Sequence, residues 1–400
     1  MELRGTNSSV AAMIEALPWV ADGIARDPSQ QEAVLHLANV SEHSSAEVFL
    51  ALLALPWMQD TDTSWQETSV ISTIDSIGRE NPAAALEIVD MPFLQTLDVQ
   101  DLNALYGLLA LSRGENLAEV LAHPWVAPGI TDEKTPVIAR LTAIAGTGSP
   151  RPDLLPILLN PEQTILLTRT ITLDHDVELS VVWPAHGATS ARATVVMDLL
   201  EDSIRMLEGF MGVPWPRPTT SILVADVPAT SDGAGIDAFA IHPSRYNDIE
   251  YIVHEAAHWY WWFLPAWVRE GAATFLAAVY FSKATGTPLP APESCPHAAN
   301  LEALGDGGTK IDRAWICNYT LGHGLLIELY ETLGDETFRD AFRRLYTWLQ
   351  DEALVARCGV ATPLGEQGLC YYHAAFVEHL PKHAAITQEI INRHYYGAKR

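Results

Sequence analysis

The sequence predicts an α+β protein that is mostly α. Residues 1–148 form an N-terminal α-helical repeat (solenoid-like) domain, 149–188 a linker with β-strands, and 189–400 a helical domain with a small β-sheet. Three observations predict this. A Pro-aromatic tetrapeptide recurs through the first part of the chain. A Gly/Pro-rich stretch, Ala145 to Pro152, interrupts the pattern. Alternating apolar residues follow it and then give way to helical spacing.

The repeat comprises Leu17-Pro18-Trp19-Val20, Leu55-Pro56-Trp57-Met58, Met91-Pro92-Phe93-Leu94 and His123-Pro124-Trp125-Val126. Its prolines are 38, 36 and 32 residues apart. Between the copies lie helix-length segments with apolar residues on one face, such as Val34, Leu35, Leu37 and Ala38. A period in the thirties with two helices per unit suggests an α-solenoid. Each Pro-Trp is expected to end a helix and bury its aromatic between units. The alternative is a binding face for a protein partner. Asp27-Pro28 and Asn81-Pro82 read as N-caps followed by proline at the first helical position. Past the linker, Thr164–Leu173 and Val177–Trp183 alternate as strands, and residues 191–211 have helical spacing. Ser221–Ala225 and Ala238–Ile241 read as short strands, and helix dominates from Asp248 onward.

Composition bounds the function. With 48% hydrophobic and 18% charged residues, the 400-residue chain is globular. Fifty acidic against 24 basic residues give a net charge of −26, which excludes nucleic acid as a partner and disfavours anionic lipid. No apolar run is long enough to predict a membrane span. The first residues lack a basic start followed by an apolar core, so no signal peptide is expected and the location reads as cytoplasmic. The cysteines complicate this. Cys358 with Cys370, and Cys295 with Cys317, could form bridges, which would suit an extracytoplasmic protein. Four reduced cysteines in a cytosolic protein remain the other reading.

The chemistry concentrates at Tyr251-Ile252-Val253-His254-Glu255-Ala256-Ala257-His258. On a helix, His254 and His258 stand one turn apart on one face, a spacing at which both imidazoles can reach one zinc. Glu255 sits where it can take a proton from a zinc-bound water. These residues alone leave two readings: a zinc site, or two core histidines on an apolar helix beside Trp259, Tyr260, Trp261 and Trp262. A catalytic zinc needs a third protein ligand. Leu264-Pro265 ends the first helix and Ala266 starts a second, which can fold Glu270 back against it, with Gly271 allowing close approach. The metzincin pattern would need glycine and histidine where Trp261 and Leu264 stand, and is excluded. Zinc suits two histidines and a carboxylate, although cobalt or manganese would occupy the same ligands.

His254-Glu255-Ala256-Ala257-His258 followed by Pro265-Ala266-Trp267-Val268-Arg269-Glu270-Gly271-Ala272 resembles the gluzincin metallopeptidases, in the branch with a short link between the two blocks. It is more distantly similar to M1 aminopeptidases and thermolysin. The resemblance spans about residues 190–345 and implies a zincin-like catalytic domain in the C-terminal part. It implies His254, His258 and Glu270 as ligands of one Zn2+ per chain, and Glu255 as general base. Cys317–Gly322 and Leu333-Gly334-Asp335-Glu336-Thr337-Phe338 resemble the gluzincin helix that carries a tyrosine. By that likeness Tyr319 donates a hydrogen bond to the developing oxyanion. His323 is an alternative donor. The M1 motif Gly-Ala-Met-Glu-Asn is not present: Gly233–Ala240 stands there, with Asp237 its acidic residue. That stretch could instead bind extended peptide as an edge strand.

Two function classes follow. The first is a zinc-dependent peptidase acting on a peptide or protein substrate. The second is a catalytically silent zincin-fold scaffold that binds a protein partner through its helical repeats. The remaining histidines, His175, His186, His242, His297, His373, His379 and His383, lack ligand-like spacing and read as surface or core residues.

Overall fold

A computed structural model describes residues 8–21, 28–60, 65–90, 94, 160–185, 188–225, 238–260, 264–304, 313–347, 351–360, 362 and 364–397. The fourth repeat copy, most of the third, the linker at 145–152, the stretch 233–237, Trp261 and Trp262 lie outside the described residues. The chain forms two compact units. One comprises Met1–Thr168, Ser180–Ala193 and Thr219–Pro243; the other comprises Arg169–Leu179, Thr194–Pro218 and Ser244–Arg400. The protein is mostly helical with one small sheet, consistent with an α+β class that is mostly α.

The first unit contains α1 (Ser8–Glu15), α2 (Pro18–Ala21), α3 (Pro28–His43), α4 (Ala46–Leu53), α5 (Trp65–Glu80) and α6 (Pro82–Val89). Pro18 opens α2, and Pro56 opens a 3-10 turn over Pro56–Gln59. Each proline therefore begins a new turn just after the preceding helix stops. Its ring fixes φ near the helical value, and its missing N–H would have been unpaired there anyway. Asn81 caps α6 by accepting from the Ala84 N–H at 3.1 Å, as its position before Pro82 suggests.

The two described Pro-Trp aromatics are buried rather than displayed. Trp19 is 2% exposed and Trp57 7% exposed. The Trp19 indole N–H donates to the Met58 carbonyl at 3.2 Å, and that of Trp57 to the Leu94 carbonyl at 2.7 Å. Each acceptor lies two residues past the proline of the next copy. Their neighbours in the core are Ile14, Leu37, Val48, Leu52, Ile71, Ile74 and Ile88. Asp75 is a buried polar point among these helices. It accepts from His36 Nδ1 at 2.9 Å and from both arms of the Arg79 fork at 2.9 Å. Burial pushes its carboxyl up, but these donors outweigh burial and hold it below the usual carboxylate range.

The sheet runs in the order β1 (Thr164–Thr172), β2 (Asp176–Pro184), β3 (Thr219–Val224), β4 (Ala238–Ile241). The first two strands form a hairpin, and β3 pairs parallel with β4, Ser221 opposite Ala238 and Val224 opposite Ile241. Val182, Leu223 and Ala240 belong to the same core as the N-terminal helices.

The second unit is built on α7 (Ser190–Met211), α8 (Ile249–Ala257), α9 (Ala266–Thr285), α10 (Ile316–Leu333), α11 (Asp335–Tyr346), α12 (Leu364–Tyr372) and α13 (Ala384–Tyr396). An aromatic cluster of Phe210, Phe275, Tyr330, Phe338 and Phe342 holds α7, α9, α10 and α11 together, with ring centroids 5.1–6.5 Å apart in contacting pairs. Arg339 and Arg343 of α11 donate to the last carbonyls of α7, at Gly209, Phe210 and Met211, groups that have no partner within their own helix. Cys295 is bridged to Cys317 and Cys358 to Cys370, with Cα atoms 5.5 and 5.4 Å apart. Two bridges favour an oxidising compartment over four reduced thiols. Among the described residues, no helix is long and apolar enough to cross a membrane.

Replacing Trp57 with phenylalanine keeps an aromatic ring but leaves the Leu94 carbonyl without its donor. The expected cost is about 1–3 kcal/mol, read as a lower urea midpoint for the first unit. A midpoint equal to wild type would show that the indole bond carries no stability.

Candidate metal centre

The site begins with a well-started helix. Asp248 caps α8, its carboxylate accepting from the Tyr251 N–H at 3.1 Å. The helix buries Ile252, Val253, Ala256 and Ala257, which turns His254 and His258 to the opposite side. At His258 the helix tightens into a 3-10 turn over His258–Tyr260, and Trp259 and Tyr260 anchor that turn edge-on against Trp215, both at 5.5 Å between centroids. The two imidazoles stand 4.9 Å apart between centroids, at right angles.

Helix α9 delivers the third group. It starts at Ala266, directly after Pro265, and buries Trp267, Val268, Glu270 and Gly271. It crosses α10 with almost no space between backbones. A Cβ placed on Gly271 would lie 2.6 Å from the backbone of Gly322, and one on Gly322 would strike the Trp267 carbonyl. Only glycine at both positions permits this approach. The crossing brings both Glu270 and Tyr319 close to the histidines.

Ligand atoms of His254, His258 and Glu270 all lie within 4.8 Å of one another. Glu270 Oε2 lies 3.5 Å from His254 Nε2 and 3.4 Å from His258 Nε2. It is buried and makes no hydrogen bond among the described residues. These separations match the edge of a tetrahedron. Two donors, each roughly 2.0–2.1 Å from a tetrahedral zinc, stand about 3.4 Å apart. A buried carboxylate oxygen without a hydrogen bond, facing two imidazole nitrogens, is a donor set that a divalent ion completes. Burial pushes the Glu270 carboxyl up, but the two imidazoles outweigh burial and hold it well below the usual range. The group could therefore bind a metal ion.

Thr274, one turn beyond Glu270, makes a contact that sequence spacing did not reveal. Its hydroxyl donates to the Glu270 carbonyl at 2.7 Å, and the same oxygen lies 3.4 Å from His254 Nδ1. The hydroxyl has one proton and spends it on the carbonyl, so toward the imidazole it can only accept. A His254 ring that donates from Nδ1 to this oxygen would leave its Nε2 to a metal ion. A helix-borne Thr four residues after a ligand was the available signal, but threonine bonded to a carbonyl one turn back is common enough in helices to pass unnoticed.

Glu255 is buried at 4% exposure. Tyr319, in the first turn of α10, stacks on the His254 ring at 5.6 Å between centroids and 23° between planes. Burial, then the charge of Glu270 and to a lesser degree that of Glu255, raises its phenol far above the ordinary value, so it stays protonated. The phenol is thus close to both carboxylates. His323 is different. Burial lowers its pKa to about 4, so it is a neutral ring at ordinary pH, and its Nε2 has no hydrogen-bond partner among the described residues. No described contact joins its side chain to the three-residue group.

Comparison with protein-family models and with characterised proteins gives no match. Among solved structures, two crystal structures of an M1 zinc metallopeptidase from Deinococcus radiodurans, one of them a point mutant, show a likeness. Both have a TM-score of 0.38, with 15% and 16% identity over 58% and 59% of this chain. The likeness spans about half of those chains, 52% and 53%.

Thr274→Val keeps the shape and removes the acceptor. Zinc affinity, measured by competition with a chelator, should fall about 10–100-fold while the fold is retained. Unchanged affinity would show that Thr274 does not orient His254.

Proposed function

We propose that the chain is a zinc-dependent peptidase of the gluzincin type. The observation that carries this reading is the convergence of His254, His258 and the buried Glu270 oxygen, with a buried Glu255 on the same helix as the histidines. His254, His258 and Glu270 would hold the ion. A zinc ion so held supplies a Lewis acid that polarises a scissile carbonyl and acidifies a water.

The chain's own groups supply the rest. The Glu255 carboxylate takes the proton of the attacking water and hands it to the leaving amine nitrogen. The Tyr319 hydroxyl, kept protonated by its surroundings, donates a hydrogen bond to the oxygen that becomes negative in the tetrahedral intermediate. The stacking of Tyr319 on His254 fixes the phenol relative to the ligand set. Trp267, stacked at 5.3 Å on Tyr372 and closed in by Gly368, makes the wall behind α9 rigid. The substrate is a peptide or protein. A glutamate in Glu255's position would have no use in a purely structural metal site, which weighs against a catalytically silent scaffold. The segment 1–148 is proposed as a helical-repeat domain that can also carry a protein partner, ahead of strands in 149–188 and the catalytic domain at 189–400.

Glu255→Gln preserves size and removes the base. Hydrolysis of a peptide library should fall about 10²–10⁴-fold with zinc content unchanged. Full activity in this variant would overturn the assignment of Glu255 and, with it, the peptidase mechanism.

A further inference from the structure

The first turn of α10 carries Tyr319 but has no side-chain cap: Trp315 occupies the N-cap position without a capping hydrogen bond. That turn follows directly on a 3-10 turn over Arg313–Trp315, and the Asn318 amide in it donates to the Trp315 carbonyl at 2.9 Å. A covalent tie anchors it as well. Cys317, two residues before Tyr319, is completely buried and bridged to Cys295. Cys295 opens a tight turn that pairs back on Ala298, and just before it Pro292 lies so near the same helix that a Cβ added to Gly324 would come within 3.3 Å of it. Cys295 itself is partly exposed.

We infer that the Cys295–Cys317 bridge is the positioning device for the Tyr319 phenol, so that hydrolysis, but not metal binding, depends on an oxidised bridge. The inference rests on the peptidase reading of the site. The three metal-binding candidates sit on α8, on the 3-10 turn that ends it and on α9, outside the bridged turn, whereas Tyr319 sits inside it. Opening the bridge therefore loosens the phenol and leaves the ligand set in place. The second bridge, Cys358–Cys370, ends on α12, whose Gly368 packs on Trp267, and it contains no residue of the site. It serves as the comparison. A dithiol would open the first bridge by attack of its thiolate on one sulfur. The Cys295–Cys317 S–S bond breaks, two thiols form, and the dithiol loses two electrons and two protons as it closes to its own disulfide.

The test uses the full chain with Cys295→Ala and Cys317→Ala together, in wild-type and Tyr319→Phe backgrounds. Zinc content should stay unchanged. kcat should fall about 10–100-fold with KM altered less than about twofold, and the loss should nearly vanish in the Tyr319→Phe background. Removing the second bridge should act equally in both backgrounds. In the metal-free chain, hydrogen exchange at the amides of 317–321 should quicken about tenfold or more while those of Glu270 and Thr274 do not move. An unchanged kcat, an equal loss in both backgrounds, or unchanged exchange at 317–321 would overturn the inference. If the double variant does not fold, folded protein carrying Cys358→Ala and Cys370→Ala is treated with dithiothreitol and read the same way. A wild-type chain without zinc would overturn the peptidase reading instead, and the exchange measurement would still decide whether the bridge holds Tyr319.

Discussion

The second unit depends on the crossing of α9 and α10 at Gly271 and Gly322, where the two backbones touch. Side chains of ordinary size would hold two helices 8–10 Å apart. Without side chains at the crossing, the residues next to it are brought unusually close. Glu270 precedes one glycine and Tyr319 lies three residues before the other. The contact thus brings a carboxylate and a phenol both to His254. The aromatic cluster around Phe275 fixes α9 and α10 farther along, and the stack of Trp267 on Tyr372 fixes α9 before the crossing.

Electrostatics follow from that geometry. The chain is strongly acidic, yet Glu270 is buried next to Tyr319, where a free negative charge is costly. Two imidazoles at 3.4 and 3.5 Å outweigh that cost and keep the carboxylate ionised. An ionised, buried carboxylate oxygen between them is a donor that a divalent cation could use. The Thr274 oxygen can accept from His254 Nδ1, which would leave the near nitrogen to a metal ion. Such packing would lower the reorganisation needed when a metal ion binds.

What the sequence made legible was local. The His254–His258 spacing is a property of one helical turn. The start of α9 after Pro265 and the Asn81 cap are set by the residues beside them. The strands at 164–172, 176–184 and 238–241 followed from alternation and turn residues. Contacts between distant segments were less accessible. The 3.4 Å approach of Thr274 to His254 exists only because α8 and α9 meet, and the indole bonds of Trp19 and Trp57 join residues 39 and 37 positions apart. Tyr319 was named through a resemblance and not through spacing, since no local rule ties residue 319 to residue 254. His323, which sequence reasoning kept as an alternative donor, is a buried neutral ring, a distinction that depends on how α10 is rotated.

The central claim is that His254, His258 and Glu270 form one metal site. Elemental analysis of the purified full chain beside Glu270→Ala tests it most directly. The account predicts close to one zinc per wild-type chain and a large loss in the variant, because two imidazoles without the carboxylate leave the ion with one protein ligand fewer and no neutralising charge. A wild-type chain without zinc, or a variant that retains it fully, would contradict the account.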